Sequence, residues 1–371
     1  MLMDFDISEP QKILLDSARN FFQKEAKDFA RKMEKDEKQF SMGFWQKMAQ
    51  LGWPGIVFPE EYGGTDGDFV DLLLLLEEMG KALIPGPFIS AIVSGLAILH
   101  FGSEEQKRKF LPPMIEGKLM VTPALLKPEA RTKGGQNVEA VIPKPGLCEL
   151  IGTRLFVPYA HVANWFIYQT EFGERKTFFL VEAKSPGVSV SLLKTIALDG
   201  QGQISLDKVQ VPQGNRLGEE GKGDVISARM GEWGALAHSA FILGLLEKVL
   251  GFTVEHAKQR EQFGRPIGSF QALQHQCADM VTEIDKIRFL AYRAAWKVSQ
   301  KMPAEKEISM AKARASDASR KVCLLGIKIH GGIGISEEHD LQLYFRKAKA
   351  AELAFGDGSF HREIVAREIG L

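Results

Sequence analysis

Two arginines bracket a corner in the segment Lys258–His275, KQREQFGRPIGSFQALQH. Arg260 and Arg265 stand on either side of Phe263 and Gly264, with Pro266 and Gly268 just beyond. The apolar run Phe241, Leu245, Leu246, Val249, Leu250, Val254 that leads in is spaced as one face of a helix. Gly264 and Pro266 stop that helix, and a second is expected from Ser269, its N-cap. A guanidinium fork, an aromatic face and two positions where backbone can come close suit a ligand carrying a diphosphate. The same residues also fit an ordinary helix–loop–helix corner with solvated arginines. Residue chemistry alone leaves both readings open.

The elements that must hold this corner follow from hydrophobic periodicity. A helix is expected over 6–34, with Ser8 as N-cap and Gln11 closing a capping box. Phe44 to Leu51 forms another, and a loop dense in glycine and proline leads to a helix from about Phe69 to Leu83. PGPFISAIVSGLAILHFG holds a further apolar helix. Ser103 caps one more, with Glu104 and Glu105 in a first turn whose dipole favours anions. After residue 118 the character changes to short β-branched runs separated by turn signals, which predict a small β-barrel or sandwich. Four long helices follow, over 225–258, 269–301, 304–331 and 337–370, and pack most simply as an antiparallel bundle. The expected architecture is α+β and multidomain: N-terminal helices over 1–117, a central β-barrel over 118–224, and a C-terminal four-helix bundle over 225–371.

Lys+Arg and Asp+Glu both number 47, so no net field draws nucleic acid or an anionic membrane to the chain. Hydrophobic residues at 45% and charged ones at 25% give a globular balance. Three scattered cysteines, Cys148, Cys277 and Cys323, argue against a disulfide framework or zinc site and for a reducing compartment. The first residues carry acids where a signal peptide needs bases, and the run Val70–Met79 is too short and too charged to span a bilayer. A cytoplasmic protein with no membrane span is expected.

RxxFGxPIxxFQ closely resembles the stretch by which acyl-CoA dehydrogenases grip the FAD of a neighbouring subunit. LGW.G...PEEYGG and GSEEQK..FLPP resemble the same family's N-terminal domain, so the similarity runs through the chain. It implies removal of a proton and a hydride from adjacent carbons of an acyl-CoA thioester. Flavin takes the hydride, a carboxylate the α proton, and hydrogen bonds to the thioester carbonyl stabilise the enolate. On the lent side, Arg260, Gln262, Phe263, Gly264, Ile267 and Leu273 fall on the family's clasping positions. IKIHGGIGISEEHDLQLYFR resembles the second clasp, with Gly331, Gly332 and Gly334 in place and Lys328 where a glutamine is usual. A lysine still serves a phosphate as a point charge.

The chain's own side departs from the pattern. Where the family has Thr-Glu-Pro-x-x-Gly-Ser-Asp this chain has MVTPALLKPEARTKGGQN, and Phe156 and Val157 replace the usual flavin-ring donors, able to pack but not to donate. The usual catalytic glutamate falls on Phe355, so no catalytic residue is assigned. The alternative glutamate position falls on Gly234, beside Ala235. Glu232 and Asp357 are the nearby acids that could stand in. The asymmetry implies a subunit that completes the FAD site of a catalytic partner in an α2β2 assembly. Acyl-CoA is then the substrate and electron-transfer flavoprotein the acceptor, in lipid or steroid degradation. The alternatives are a homomeric enzyme with a displaced base and a flavin-free acyl-CoA scaffold.

Overall fold

The computed structural model describes residues 7–26, 28–127, 140–172, 175–219 and 221–371. The order is helices, then strands, then helices. First come α1 (Glu9–Glu25), α2 (Phe29–Lys35), α3 (Met42–Gln50), α4 (Phe69–Lys81), α5 (Phe88–Phe101) and α6 (Glu104–Ile115). Then β1 (Val121–Ala124), β2 (Ala140–Lys144), β3 (Leu147–Pro158), β4 (Trp165–Phe172), β5 (Arg175–Glu182), β6 (Val188–Leu192), β7 (Gln201–Pro212) and β8 (Arg216–Leu217). Last are α7 (Gly223–Gln259), the two-residue strands β9 (Glu261–Gln262) and β10 (Arg265–Pro266), α8 (Gln271–Ser299), α9 (Glu305–His330), α10 (Leu341–Leu353) and α11 (Gly358–Glu368). The α+β architecture expected from the sequence is the one observed.

Local chemistry explains most boundaries. Ser8 and Ser103 each accept from the third residue of their helix while Gln11 and Gln106 reach back, two complete capping boxes. Three expectations are corrected. The helix over 6–34 is two, interrupted after Glu25. The helix over 337–370 is also two, parted at Ala354–Asp357, where Phe355 sits at φ +54° and Gly356 at φ +96°. Ser269 does not cap α8: Phe270 occupies the N-cap without a side-chain bond, and the Ser269 hydroxyl donates to Pro266 O at 2.7 Å.

Two compact units form, one from Met1–Ala30, Asp68–Ile84 and Glu232–Leu371, the other from Arg31–Gly67 and Pro85–Gly231. In the first, α4 crosses α7 at backbone distance. A β-carbon on Gly244 would lie 1.8 Å from Glu77 O, and one on Gly80 would lie 2.1 Å from Phe241 O. The core around this crossing is built from Leu243, Leu246, Val249, Ile284, Ile287, Val322 and their neighbours. In the second unit the expected barrel takes the form of two four-stranded sheets, ordered β1-β4-β5-β8 and β2-β3-β7-β6, which share one core of Leu150, Phe166, Phe179, Ile204 and Val209. β1 and β4 run parallel; every other pair within these two sheets is antiparallel. Among the described residues one helix, α7, is long and apolar enough to cross a membrane by composition, and 61% of its most apolar window is buried inside the protein. The three-part division at 117/118 and 224/225 groups elements by position along the chain and stays a proposal.

Candidate functional site

α7 ends at Gln259 and the chain turns back through a hairpin of β9 and β10. Phe263 at φ +55° and Gly264 at φ +76° are its two central residues, the left-handed pair that a two-residue type I′ turn demands. Glycine takes such a φ freely, whereas phenylalanine pays about 1 kcal/mol. Its ring is also 92% exposed. An aromatic side chain held in a strained turn and left in water points to a ligand or partner surface. Arg265 lies over the Phe270 ring at 4.2 Å, which fixes its direction, and Ile267 N donates to Arg260 O at 2.8 Å, closing the corner. Arg260, Gln262 and Gly264 are exposed; Ile267 and Leu273 are half-buried at the base.

The second glycine-rich stretch leaves α9 at His330. Gly331 (φ +67°, ψ −144°) occupies backbone space that only glycine reaches. Gly334 is packed tightly, a β-carbon there falling 3.0 Å from His330 Cβ. Gly332 is exposed and a β-carbon on it would meet nothing of this chain. Lys328, two residues before His330, is exposed.

These two stretches lie far apart in sequence and meet in space. The rings of His256, four residues before Arg260, and His330, just before Gly331, stack at 4.4 Å. His339 closes edge-on to His330 at 4.9 Å. Burial pushes both His256 and His330 below the ordinary imidazole value, so both are neutral at pH 7. The sequence reading missed all three histidines, because nothing in their spacing shows that their helix ends converge.

The base positions also meet. Phe355 turns its ring onto α7, where a β-carbon on Gly234 would lie 2.3 Å from the ring. The two places at which a carboxylate was sought are one place, filled by a phenyl ring. His361 Nε2 donates to Phe355 O at 3.0 Å and its Nδ1 pairs with the Ser309 hydroxyl at 3.2 Å. Burial depresses His361 to about 4, keeping it neutral. The buried Lys312 ammonium donates to Ala351 O and Glu352 O at 2.9 and 2.8 Å, capping α10 just before the Phe355 turn. Burial lowers it to about 7, despite the opposing charge of Glu352. Lys312 had a faint sequence signal: it shares the buried face of α9 with Ile308, Ala315 and Ser319.

Of the stand-in acids, Asp357 caps α11, accepting from Ser359 N and Phe360 N at 3.0 and 2.9 Å. The Phe360 amide, above all, holds its carboxyl below the usual range, the wrong direction for a base. Glu232 is half-buried, two residues before Gly234 and so about 200° around α7 from it. His238 lies one turn beyond Gly234 with its ring 5.5 Å from Phe355, and its Nδ1 donates to Gly234 O at 2.9 Å.

In the other unit, most of the segment in place of the family's flavin loop falls on 128–137, outside the described residues. In its described part the Thr122 hydroxyl donates to Pro158 O at 2.7 Å, and Lys127 pairs with Glu171 at 2.6 Å. Val157, expected to be able to pack on a ring, is 1% exposed and belongs to the sheet core. The cause is a bulge in β3 between Arg154 and Val157. It puts Phe156 at φ +53° and leaves its side chain 53% exposed.

A family model described as acyl-CoA dehydrogenase, C-terminal domain, matches residues 221–370, and one described as acyl-CoA dehydrogenase, N-terminal domain, matches residues 8–118. A probable acyl-CoA dehydrogenase of Bacillus subtilis (strain 168), YngJ, is 31% identical over 99% of this chain and 100% of its own length. The crystal structure of the ChsE4-ChsE5 complex from Mycobacterium tuberculosis is similar at a TM-score of 0.91 and 30% identity, over 99% of each chain. The FAD complex of PigA is similar at a TM-score of 0.91 and 28% identity, over 100% of each chain.

Proposed function

We propose, from the premise that this chain belongs to the acyl-CoA dehydrogenase family, that it is the base-lacking subunit of a heteromeric FAD-dependent acyl-CoA dehydrogenase. It completes the cofactor site of a catalytic partner subunit rather than running the reaction in its own. The observation that carries this reading is the ring of Phe355 seated on Gly234, which closes both carboxylate positions at once. Asp357, spent on capping α11, gives no replacement. Meanwhile the lent side keeps a strained, exposed Phe263 beside Arg260. Support for pairing with a different chain comes from the similarity to ChsE4-ChsE5, a complex of two differently named chains.

FAD is the cofactor, and its residues of contact here are Arg260, Gln262, Phe263, Gly264, Ile267, Leu273, Lys328, Gly331 and Gly332. The arrangement fits a dinucleotide: Arg260 offers a planar donor fork to phosphate, Phe263 a face for a flat ring, and Gly332 open space for close approach. When bound in the partner, FAD supplies the hydride acceptor for α,β-desaturation of an acyl-CoA thioester. This chain orients the dinucleotide, excludes water from it, and provides no proton acceptor. An α2β2 assembly, electron-transfer flavoprotein as oxidant, a cytoplasmic setting and a role in lipid or steroid degradation complete the proposal.

The test is co-purification with a catalytic acyl-CoA dehydrogenase subunit, measuring flavin per chain. One FAD per pair of unlike chains is expected, and Arg260→Ala in this chain should weaken its retention roughly tenfold or more, the worth of one charge-assisted bond of about 1.5–3 kcal/mol. Full flavin occupancy and turnover by this chain alone would end the proposal. In that event Asp357→Asn, which keeps the cap, and Glu232→Gln would show whether either acid is a displaced base.

A further inference from the structure

Three imidazoles from three elements converge where the two clasps leave the helical bundle. His256 belongs to the last turns of α7, and its carbonyl accepts from Arg260 N at 2.8 Å, so the ring and the guanidinium share one turn. His330 is the last residue of α9, and its Nδ1 donates to Gly326 O at 2.7 Å. His339 ends the intervening loop. Its Nδ1 accepts from the amide of Leu341, the first residue of α10, at 3.0 Å, and its ring meets Phe252 on α7 at 5.6 Å. Ring stacking therefore ties the helix end that carries the Arg260 hairpin to the helix end that carries the Gly331–Gly334 loop.

We infer that the His256–His330–His339 stack is a latch that sets the two clasps in register, so that this chain grips its neighbour's dinucleotide firmly only while the stacked His256 and His330 rings are uncharged. The inference rests on the reading of the clasps under Proposed function. It assigns the histidines a positioning role, acting through Arg260 and the glycine loop rather than touching the ligand. Adding a proton places a cation against a second imidazole 4.4 Å away and beside the like charge of Arg260. Lys248, held over the Phe252 ring at 5.0 Å, and Lys328 act in the same sense. Glu337, Glu338 and Asp340 on the loop act in the opposite sense. Burial and the neighbouring rings disfavour charge on His256 and His330, whereas released segments would take up protons at the ordinary imidazole value of about 6.5. The open form binds more protons, so the grip is complete above that value and is lost as the pH falls through it.

Two measurements test the latch. In the complex with the catalytic subunit, the affinity for added FAD is followed from pH 8 to 5.5. It should fall below about pH 6.5, by about tenfold per pH unit for each proton linked to release. His256→Phe, which keeps a ring and removes a titrating group, should move the midpoint to lower pH. A merely structural role would weaken binding equally at all pH values and leave the midpoint in place. In the full chain alone, histidine ring resonances should show His256 and His330 titrating below 6.5. An unmoved midpoint, flat affinity across the range, or ordinary titration of both rings in the isolated chain would each overturn the latch. A complex without FAD at pH 8 would instead defeat the reading of the clasps, and with it the latch, even if the isolated rings titrate low.

Discussion

At Gly234 the smallest side chain and at Phe355 one of the largest make a complementary pair, since the ring occupies the volume that any β-carbon at 234 would need. Position 234 could hold a carboxylate only if Phe355 changed as well. Gly234→Glu should therefore lose stability toward the upper end of the about 1–3 kcal/mol range of overpacked sites. The double variant with Phe355→Ala should recover most of that loss, a non-additivity that a double-mutant cycle of thermal melts would read. Strictly additive losses would show that the ring is not what bars the larger residue. The identity of residue 355 was legible in sequence by alignment with the family motif. Its contact with Gly234 was not, because more than a hundred residues separate them and only the break between α10 and α11 turns the ring toward α7.

The hairpin after α7 is an element built for display. Its turn demands two left-handed residues, and only Gly264 suits that backbone; Phe263 bears the strain without gaining burial. Phe263→Gly is expected to leave the isolated chain as stable or up to about 1 kcal/mol more stable, the relief of left-handed strain. The same change should reduce FAD retention in the complex by roughly 0.5–1.5 kcal/mol, the worth of one ring–ring contact. Parallel melting and flavin-binding curves would check both; a variant that loses stability and binding together would make Phe263 a structural residue. Here the sequence placed the corner correctly and misjudged its form. Glycine and proline signal where a helix stops, but Ser269 was read as the next cap when its hydroxyl in fact turns back to Pro266.

At the scale of the molecule, one unit is assembled from three separated stretches of chain, and the crossing of α4 on α7 joins two of them. Beneath that crossing Glu77 accepts from Lys81 Nζ at 2.9 Å, Arg288 at 3.1 Å and the Tyr292 hydroxyl at 2.8 Å, so the buried acid is fully paired. Gly244→Val should cost at least about 3 kcal/mol, because the obstacle is the Glu77 carbonyl and a backbone cannot repack as a side chain does. A chemical denaturation midpoint close to that of the unaltered chain would show the helices to be freer than their contact implies. The sequence by itself determined the order of helices, strands and helices, the helix starts capped by Ser8 and Ser103, the change from helical to strand periodicity near 118, and the resemblance to the family at the Arg260 motif. Each of these is local, fixed by residues within a few positions of one another. Only the tertiary structure decided that the Arg260 hairpin and the Gly331–Gly334 loop share a histidine stack, that Val157 belongs to the sheet core while Phe156 faces outward, and that positions 234 and 355 are a single place. Those facts depend on which distant surfaces exclude water together, and no local spacing of residues encodes that.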